Sequence, residues 1–347
     1  MNNKRLIYLA LMGMFIWLTA LTFANMNKEN NSNTTNINEY NVSGFSTDFT
    51  KVVDENKSSI VTINADNTIL SGFVYLQEND DVYVVSAYHG INSANNINII
   101  LDSNYSVNAS LVGYDFLSDI AILKFTSPYM INSMKLGDST LLKEGEFVIS
   151  IGTPISLDYA SSCQLGMISK GILTVENSIT YNSETHNYFL DVIQLSSNLP
   201  KGYSGSPVIN MNGEVVGMNT MDLNDELNFA LTSNEIRIVA DRIINNESVN
   251  KNLFGIKATY IKDMPNYEKT NLNLDIDIIS GMYVSKVKEN SLAFNAGIKT
   301  GDVITKINNK LIDNLDSYLE VTYQELDPIE FEVIRNGQTI NLGVNND

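Results

Sequence analysis

Short apolar runs separated by turn residues fill the chain from about residue 50 to residue 232, and this pattern constrains the fold most strongly. Runs of about four to eight residues that are rich in Val, Ile and aromatic side chains are typical of β-strands. Asn212-Gly213 lies between two such runs, and this dipeptide favours a tight hairpin turn. Many short strands with regular turns indicate a barrel or a sandwich, so this part is predicted to be all-β. The clearest runs are residues 60–63, 72–76, 82–86, 97–101, 110–113, 120–125 and 147–152.

A helix ends this first unit, and a second unit follows it. Thr232-Ser233-Asn234-Glu235 has the pattern of a capping box and predicts a helix that continues to Ile244. After a polar stretch, residues 253–347 contain further strand-like runs, helical stretches and an Asn336-Gly337 turn. The chain length suits about two domains, and we expect them to cover residues 50–246 and 253–347.

The amino-terminal segment has the pattern of an exported protein. Lys4 and Arg5 precede an uncharged apolar run that extends to Ala24, which suits a membrane anchor or a signal peptide. Basic residues ahead of such a run place the amino terminus in the cytoplasm and the body of the protein outside. We therefore expect residues 1–24 to anchor the chain in the cell envelope, or to be cleaved and leave it secreted. Residues 25–49 are rich in Asn, Ser and Thr and are expected to be a flexible linker.

Composition and residue counts exclude several functions. The net charge of -18 and the pI near 4.4 leave no broad basic face, so no nucleic-acid partner is expected. The two histidines, His89 and His186, are far apart and lack a His-Glu-x-x-His pattern, so no metal site is expected. Cys163 is the single cysteine, which excludes an intramolecular disulfide, and we expect its side chain to be buried.

A candidate nucleophile, Ser204, lies in the stretch Gly202-Tyr203-Ser204-Gly205-Ser206-Pro207. The glycines permit a sharp turn, and such a turn can bring backbone N–H groups together where an oxyanion develops. A Gly-x-Ser-Gly stretch is also common in ordinary turns, so its meaning depends on the residues upstream.

Two titratable residues upstream lie at the ends of apolar runs. His89 follows the run 82–86, and Asp119 directly precedes the run 120–125, with Asp115 as the competing carboxylate. His186 has no comparable setting and is expected in a surface loop. The order His89, Asp119, Ser204, with each residue beside a strand, rarely arises by chance.

These residues lie in blocks that resemble the catalytic blocks of trypsin-like serine proteases, and the chain is more narrowly similar to the HtrA (Deg) family of envelope proteases. Parts of residues 253–347 resemble a PDZ domain. The matching blocks in the first unit are Ser86–His89, Asp119–Leu123, Ser150–Pro154, Gly202–Pro207, Asn212–Thr220 and Asn228–Leu231, and those in the second unit are Asn290–Ala293, Ala296–Ile304 and Ile307–Lys310.

The resemblance implies a mainly β fold, in which a trypsin-like double β-barrel precedes an α+β PDZ domain. It implies an ATP-independent serine endopeptidase that acts on misfolded or signalling proteins without a cofactor. Ser204 would be the nucleophile, His89 its base and Asp119 the residue that orients the imidazole. The N–H groups of Gly202 and Ser204 would form the oxyanion hole.

The resemblance also implies partners. A PDZ domain binds a carboxyl-terminal peptide as an added strand, and the matching residues here are Phe254, Gly255 and Ile256, directly after Leu253. In the family, the PDZ domain regulates the protease and supports assembly into a homotrimer or a larger oligomer.

The chain departs from the family pattern around Ser204 and also beside His89, where Tyr88 is larger than the usual Ala or Asn. The family usually has Asn before the nucleophile and Gly two residues after it, where this chain has Tyr203 and Ser206. These changes bear on rate and specificity.

An α/β-hydrolase would need Gly-x-Ser-x-Gly and a later histidine, and the chain has neither. The remaining alternative is a catalytically inactive protease scaffold that acts as an anchored PDZ peptide-binding or chaperone protein.

Overall fold

The computed structural model describes residues 48–66, 68–101, 105–220 and 227–345. The expected anchor, residues 1–24, and nearly all of the expected linker, residues 25–49, lie outside these described residues. Within the described part of the chain, no helix is long and apolar enough to cross a bilayer.

The first group of apolar runs forms a closed antiparallel barrel. Its elements are α1 (Phe49–Asn56), β1 (Ile60–Ala65), β2 (Thr68–Glu78), β3 (Asp81–Ala87), β4 (Ile97–Leu101), β5 (Tyr105–Asp115) and β6 (Ile120–Thr126). The strand order around the barrel is β1-β2-β3-β6-β5-β4. Val82 and Val84 of β3 are fully buried, because alternate side chains of a strand point to the same face and these two point to the interior.

The second group of apolar runs forms another closed barrel. Its strands are β7 (Phe147–Gly152), β8 (Ser162–Tyr181), β9 (Glu184–Leu195), β10 (Pro207–Asn210), β11 (Val215–Asn219) and β12 (Asn228–Thr232), in the order β10-β11-β12-β9-β8-β7. The Asn212-Gly213 turn joins β10 to β11 as predicted, and Gly213 supplies the positive φ, 79°, that this turn needs. Cys163 lies on β8 and is exposed, so the expectation that it is buried was wrong.

One apolar cluster draws side chains from both barrels and from helix α2 (Ser233–Ile244). Ile122 of the first barrel and Ile151 of the second are fully buried in it, together with Ile236 of α2. Burial of side chains this large contributes about 1.5–3 kcal/mol each, so the cluster holds the two barrels against each other.

The carboxyl-terminal unit is a separate antiparallel sheet with short helices. The sheet order is β13-β14-β15-β17-β18, and β16 pairs with β15, so β13 is an edge strand. Its own apolar core is centred on Phe254 and Phe331. The elements are β13 (Ile256–Tyr260), α3 (Asn266–Asn271), β14 (Met282–Val287), α4 (Leu292–Ala296), β15 (Val303–Ile307), β16 (Lys310–Leu311), α5 (Leu315–Thr322), β17 (Ile329–Arg335) and β18 (Gln338–Val344).

The start of α2 shows how the carboxyl-terminal unit is attached. The Thr232 hydroxyl accepts a hydrogen bond from the Glu235 N–H at 3.2 Å, as the predicted cap requires. The Glu235 carboxylate does not complete the capping box, because it is buried and instead pairs with Lys251 and with the Tyr323 hydroxyl after α5. Tyr323 also lies 2.8 Å from the buried carboxylate of Asp115. This polar cluster joins the carboxyl-terminal unit to the barrels.

Candidate active site

The ends of β3 and β6 bring His89 and Asp119 together. Ala87 and Ile120 are direct partners in the β3–β6 ladder, so the residues just beyond them are neighbours. His89 Nδ1 lies 2.7 Å from one Asp119 carboxylate oxygen, and the His89 backbone N–H donates to the other oxygen at 2.7 Å. The Asp119 carboxylate therefore fixes both the position of His89 and the rotation of its ring.

Further contacts separate Asp119 from its competitor. The Thr220 hydroxyl, directly after β11, donates to the same Asp119 oxygen that faces His89. Asp115 points elsewhere, since its carboxylate accepts from the Leu117 N–H and from the Ser118 hydroxyl. Sequence reasoning did not find Thr220, although a hydroxyl residue at the end of a strand in a matching block was an available signal.

The surroundings of His89 shift its protonation. Burial alone would lower the pKa of His89, but the hydrogen bond and the charge of Asp119 outweigh burial and raise the pKa above the ordinary value of 6.5. The imidazole is therefore a stronger base than a free histidine, and its charged form is stabilised where it lies.

Ser204 lies in the same cleft as His89. The cleft has a volume of about 350 Å³ and is lined by residues 68–70, His89, 199–204, 219–220 and 228–229. Among the described residues, no hydrogen bond joins the Ser204 hydroxyl to His89. Such bonds are often long without substrate and tighten when it binds, so the shared cleft is the relevant geometry.

Residues 199–206 carry the candidate nucleophile and are called the nucleophile loop. Three successive carbonyl groups of this loop each accept a hydrogen bond. The Ile155 N–H donates to the Lys201 carbonyl at 3.0 Å, and the Ser71 hydroxyl donates to the Gly202 carbonyl at 2.7 Å. The Ser206 N–H donates to the Tyr203 carbonyl at 2.8 Å. The C=O and N–H of a trans peptide point in opposite directions, so these bonds also fix the directions of the N–H groups that follow.

The N–H groups that follow Lys201 and Tyr203 are those of Gly202 and Ser204. Neither of them donates to a backbone or side-chain acceptor among the described residues. Gly202 has a φ of 101°, and a Cβ there would lie 2.3 Å from the Thr153 carbonyl oxygen, so only glycine fits. These two N–H groups are therefore available to an anion in the cleft.

Ser71 of β2 connects the first barrel to this loop. Besides its hydroxyl bond to Gly202, its N–H donates to the Ser204 carbonyl at 3.0 Å, and its hydroxyl accepts from the Thr153 N–H at 2.8 Å. Ser71 is fully buried. Sequence reasoning missed this residue, because the contacts span 82 or more positions and leave no local pattern.

Tyr203 and Ser206, the two residues of the nucleophile loop that depart from the family pattern, fit this loop in different ways. Ser206 is buried, and its hydroxyl accepts from the Asn219 side chain at 2.9 Å, so the position tolerates a small polar residue. The Tyr203 side chain is buried, and its hydroxyl donates to the Ser162 carbonyl at 2.9 Å. His186 lies on β9 rather than in a loop, with its ring edge-on to Phe116, and takes no part in the cleft.

The expected peptide-binding residues of the PDZ unit are buried. Phe254 is 1% exposed and Ile256 is 4% exposed, and Gly255 between them is also buried. The outer edge of β13 faces the β8–β9 hairpin, where the Thr174 hydroxyl reaches the Ala258 carbonyl at 3.5 Å. The remaining cavities between β13 and α5 have volumes of only about 20 Å³ each, and side chains of β9 close them.

Comparisons with known proteins agree with this architecture. A family model of the trypsin-like peptidase domain matches residues 70–218, and a PDZ domain model matches residues 252–345. The HtrA-type protease AlgW with tripeptide shares the fold, with a TM-score of 0.58 at 21% identity, over 86% of this chain and 96% of that chain. The predicted mainly β protease fold with a PDZ domain is confirmed, and the expected anchor lies outside the described residues.

Curated relatives show the family. The chain is 30% identical over 284 residues to the serine protease Do-like HtrA of Lactobacillus helveticus. The matched region covers 79% of this chain and 67% of that protein. It is 30% identical over 281 residues to the serine protease Do-like HtrB of Bacillus subtilis (strain 168), over 78% of this chain and 60% of that protein. The chain belongs to the HtrA family of serine proteases, as its blocks predicted, and spans about two thirds of these relatives' lengths.

The Asp119 contact can be tested by titrating His89. Asp119→Asn removes the charge that outweighs burial, so the pKa of His89 should fall. NMR of the imidazole Cε1–H signal measures it, and His186→Asn removes the second histidine signal for assignment. Because the folded pKa is raised, the pair stabilises the fold below about pH 6.5, and this increment is lost as pH rises through the folded pKa. An unchanged pKa in Asp119→Asn would contradict the assignment.

Proposed function

We propose that the chain is a serine endopeptidase in which Ser204 is the nucleophile and His89 the general base. Asp119 orients the imidazole and stabilises its charged form. The observation that carries this proposal is the His89–Asp119 pair in the same cleft as Ser204. The relatives named as serine proteases support it. The domain boundaries proposed for this enzyme are residues 50–246 for the protease and 253–347 for the PDZ domain.

The reaction follows from these positions. Ser204 Oγ attacks the peptide carbonyl carbon while His89 Nε2 takes the hydroxyl proton, and the carbonyl oxygen becomes an oxyanion. The N–H groups of Gly202 and Ser204 donate to that oxyanion, and each such donor is worth about 3–4 kcal/mol in the transition state. His89 then gives its proton to the leaving amine, and water releases the acyl group by the same steps in reverse. Neither ATP nor a cofactor enters.

The cellular setting is part of the proposal. The substrates are misfolded or signalling proteins whose extended segments can enter the cleft. The protein works outside the cytoplasm, in the cell envelope, anchored by residues 1–24 or secreted after their removal. The basic residues ahead of the apolar amino-terminal run support this placement.

We also propose a homotrimer or a larger assembly. Phe147 of β7 and Met167 of β8 are direct cross-strand partners, and both are exposed. Leu165, on the same face of β8, is 52% exposed, and the Phe49 ring of α1 meets Phe147 edge-on at 5.7 Å. An exposed apolar patch of this kind is typical of a protein–protein surface.

The PDZ domain is proposed to bind carboxyl-terminal peptides through Phe254, Gly255 and Ile256 and so to regulate the protease. A bound peptide would add a strand to the free edge of β13. That edge faces the β8–β9 hairpin, so a peptide can bind only when the hairpin and β13 move apart. Peptide binding and opening of this contact are therefore linked.

The inactive-scaffold alternative lacks comparable support. It would explain the PDZ domain, but it gives no reason for a buried Asp119 held by three donors or for two free N–H groups beside Ser204. The protease proposal accounts for all of these features.

The nucleophile is tested with the full chain and unfolded casein. Ser204→Ala removes the attacking oxygen, so kcat should fall by about a thousandfold or more. Casein cleavage is followed by release of labelled peptides, and kcat/KM should rise as pH increases through the raised pKa of His89, because the base must be neutral.

Ser178→Ala is the matched control, because Ser178 is exposed on β8 and lies outside the cleft. Its activity should equal that of the parent. Full casein cleavage by Ser204→Ala would contradict the proposal and favour the scaffold alternative or another nucleophile.

The closed PDZ edge is tested by loosening its cover. Lys286 of β14 pairs with Glu176 of β8 at 2.9 Å and lies over the Phe189 ring, and these contacts join β14 to the hairpin. Lys286→Ala removes both, so a short peptide with an apolar carboxyl terminus should bind about two- to fivefold more tightly. Fluorescence anisotropy with a labelled peptide measures the affinity.

Lys170→Ala provides the control, since the exposed Lys170–Glu144 pair lies within the protease unit and should leave peptide binding unchanged. The same peptide with an amidated carboxyl terminus should bind poorly. Equal binding of the amidated peptide, or no gain from Lys286→Ala, would contradict a covered PDZ site.

A further inference from the structure

Tyr203, directly before the candidate nucleophile, is built into the second barrel. Its side chain is 1% exposed, and its hydroxyl donates to the carbonyl of Ser162, the first residue of β8, at 2.9 Å. The ring packs so closely on the last residue of β7 that a Cβ at Gly152 would lie 2.9 Å from a ring carbon. The side chain therefore fastens the nucleophile loop to β8.

Ile155, which binds the nucleophile loop at Lys201, has a strained backbone conformation. Ile155 donates its N–H to the Lys201 carbonyl at 3.0 Å, and its φ is 63°. A β-branched residue rarely adopts a positive φ, so surrounding contacts must hold this arrangement in place. The contact between Tyr203 and Ser162 lies at the other end of the 155–162 segment and closes it against the loop.

The Tyr203 backbone sets the direction of the Ser204 N–H. The Tyr203 carbonyl accepts from the Ser206 N–H, and the Tyr203 N–H donates to the Pro200 carbonyl at 3.3 Å. A rotation of the Tyr203–Ser204 peptide would change the direction of the Ser204 N–H, because the Tyr203 carbonyl and the Ser204 N–H belong to one planar peptide. The anchored ring opposes such a rotation.

We propose that Tyr203 is a positioning residue for the oxyanion hole. Its hydroxyl bond to Ser162 keeps the nucleophile loop in the arrangement in which the N–H groups of Gly202 and Ser204 face the cleft before substrate arrives. This inference rests on the proposed serine protease activity and adds a residue to it. Burial raises the pKa of Tyr203 to about 12, with a smaller contribution from Cys163, so the hydroxyl remains a donor at neutral pH.

The test is Tyr203→Phe in the full chain, which keeps the ring and removes the hydroxyl. We expect kcat to fall about tenfold while KM stays unchanged, because the lost bond positions the oxyanion site, which acts on the transition state. The inhibition constant of a peptide aldehyde, whose adduct carries an oxyanion, should rise by the same factor. A peptide of the same sequence that ends in an amide in place of the aldehyde should bind the cleft of Ser204→Ala equally well with and without Tyr203→Phe.

Tyr75→Phe is the matched control. It removes a tyrosine hydroxyl that donates to the Asp241 carboxylate at 2.6 Å, and Tyr75 does not line the cleft. Its kcat should equal that of the parent. Thermal unfolding of Tyr203→Phe is measured in parallel, and the kinetic constants of variant and parent are compared at a temperature at which both are folded.

Two results would overturn the inference. One is a kcat within twofold of the parent, and the other is a raised KM with unchanged kcat, which would assign Tyr203 to substrate binding alone. An inactive parent protein would instead refute the proposed protease function, so the two failures are distinguishable.

Discussion

Hydrogen bonds to the carbonyls of Lys201, Gly202 and Tyr203 orient the peptide groups on which the chemistry of the cleft depends. The donors come from both barrels, since Ser71 belongs to β2 and Ile155 follows β7. The oxyanion site therefore exists only when the two barrels are docked. The apolar cluster shared by the barrels provides that docking and links core packing directly to the geometry of the site.

The long strand β8 contacts both parts of the proposed mechanism. Its first residue, Ser162, accepts the bond from Tyr203, and farther along the strand Thr174 meets the edge of β13. The buried Glu235–Lys251 pair and Tyr323 hold the PDZ unit against the barrels near Asp115. Removal of one partner from such a buried pair would leave an uncompensated buried charge, so this attachment needs both Glu235 and Lys251.

Local patterns predicted those parts of the fold and site that local physics decides. Alternating apolar runs predicted the strands, and Thr232 predicted the start of α2. His89 and Asp119 could be paired because each lies at the end of a buried strand. Ser71 and the Tyr203–Ser162 bond could not be predicted, because they depend on contacts between distant residues. The covered edge of β13 and the exposure of Cys163 likewise depend on how whole elements pack.

The most direct measurement is the reaction of the resting full chain with a fluorophosphonate, without any added peptide, followed by intact mass and peptide mapping. An oxyanion hole that is already formed predicts one adduct per chain, located on Ser204, since the phosphoryl oxygen occupies the same site as the oxyanion. No adduct, or an adduct on another residue, would contradict the account of a preformed serine protease site.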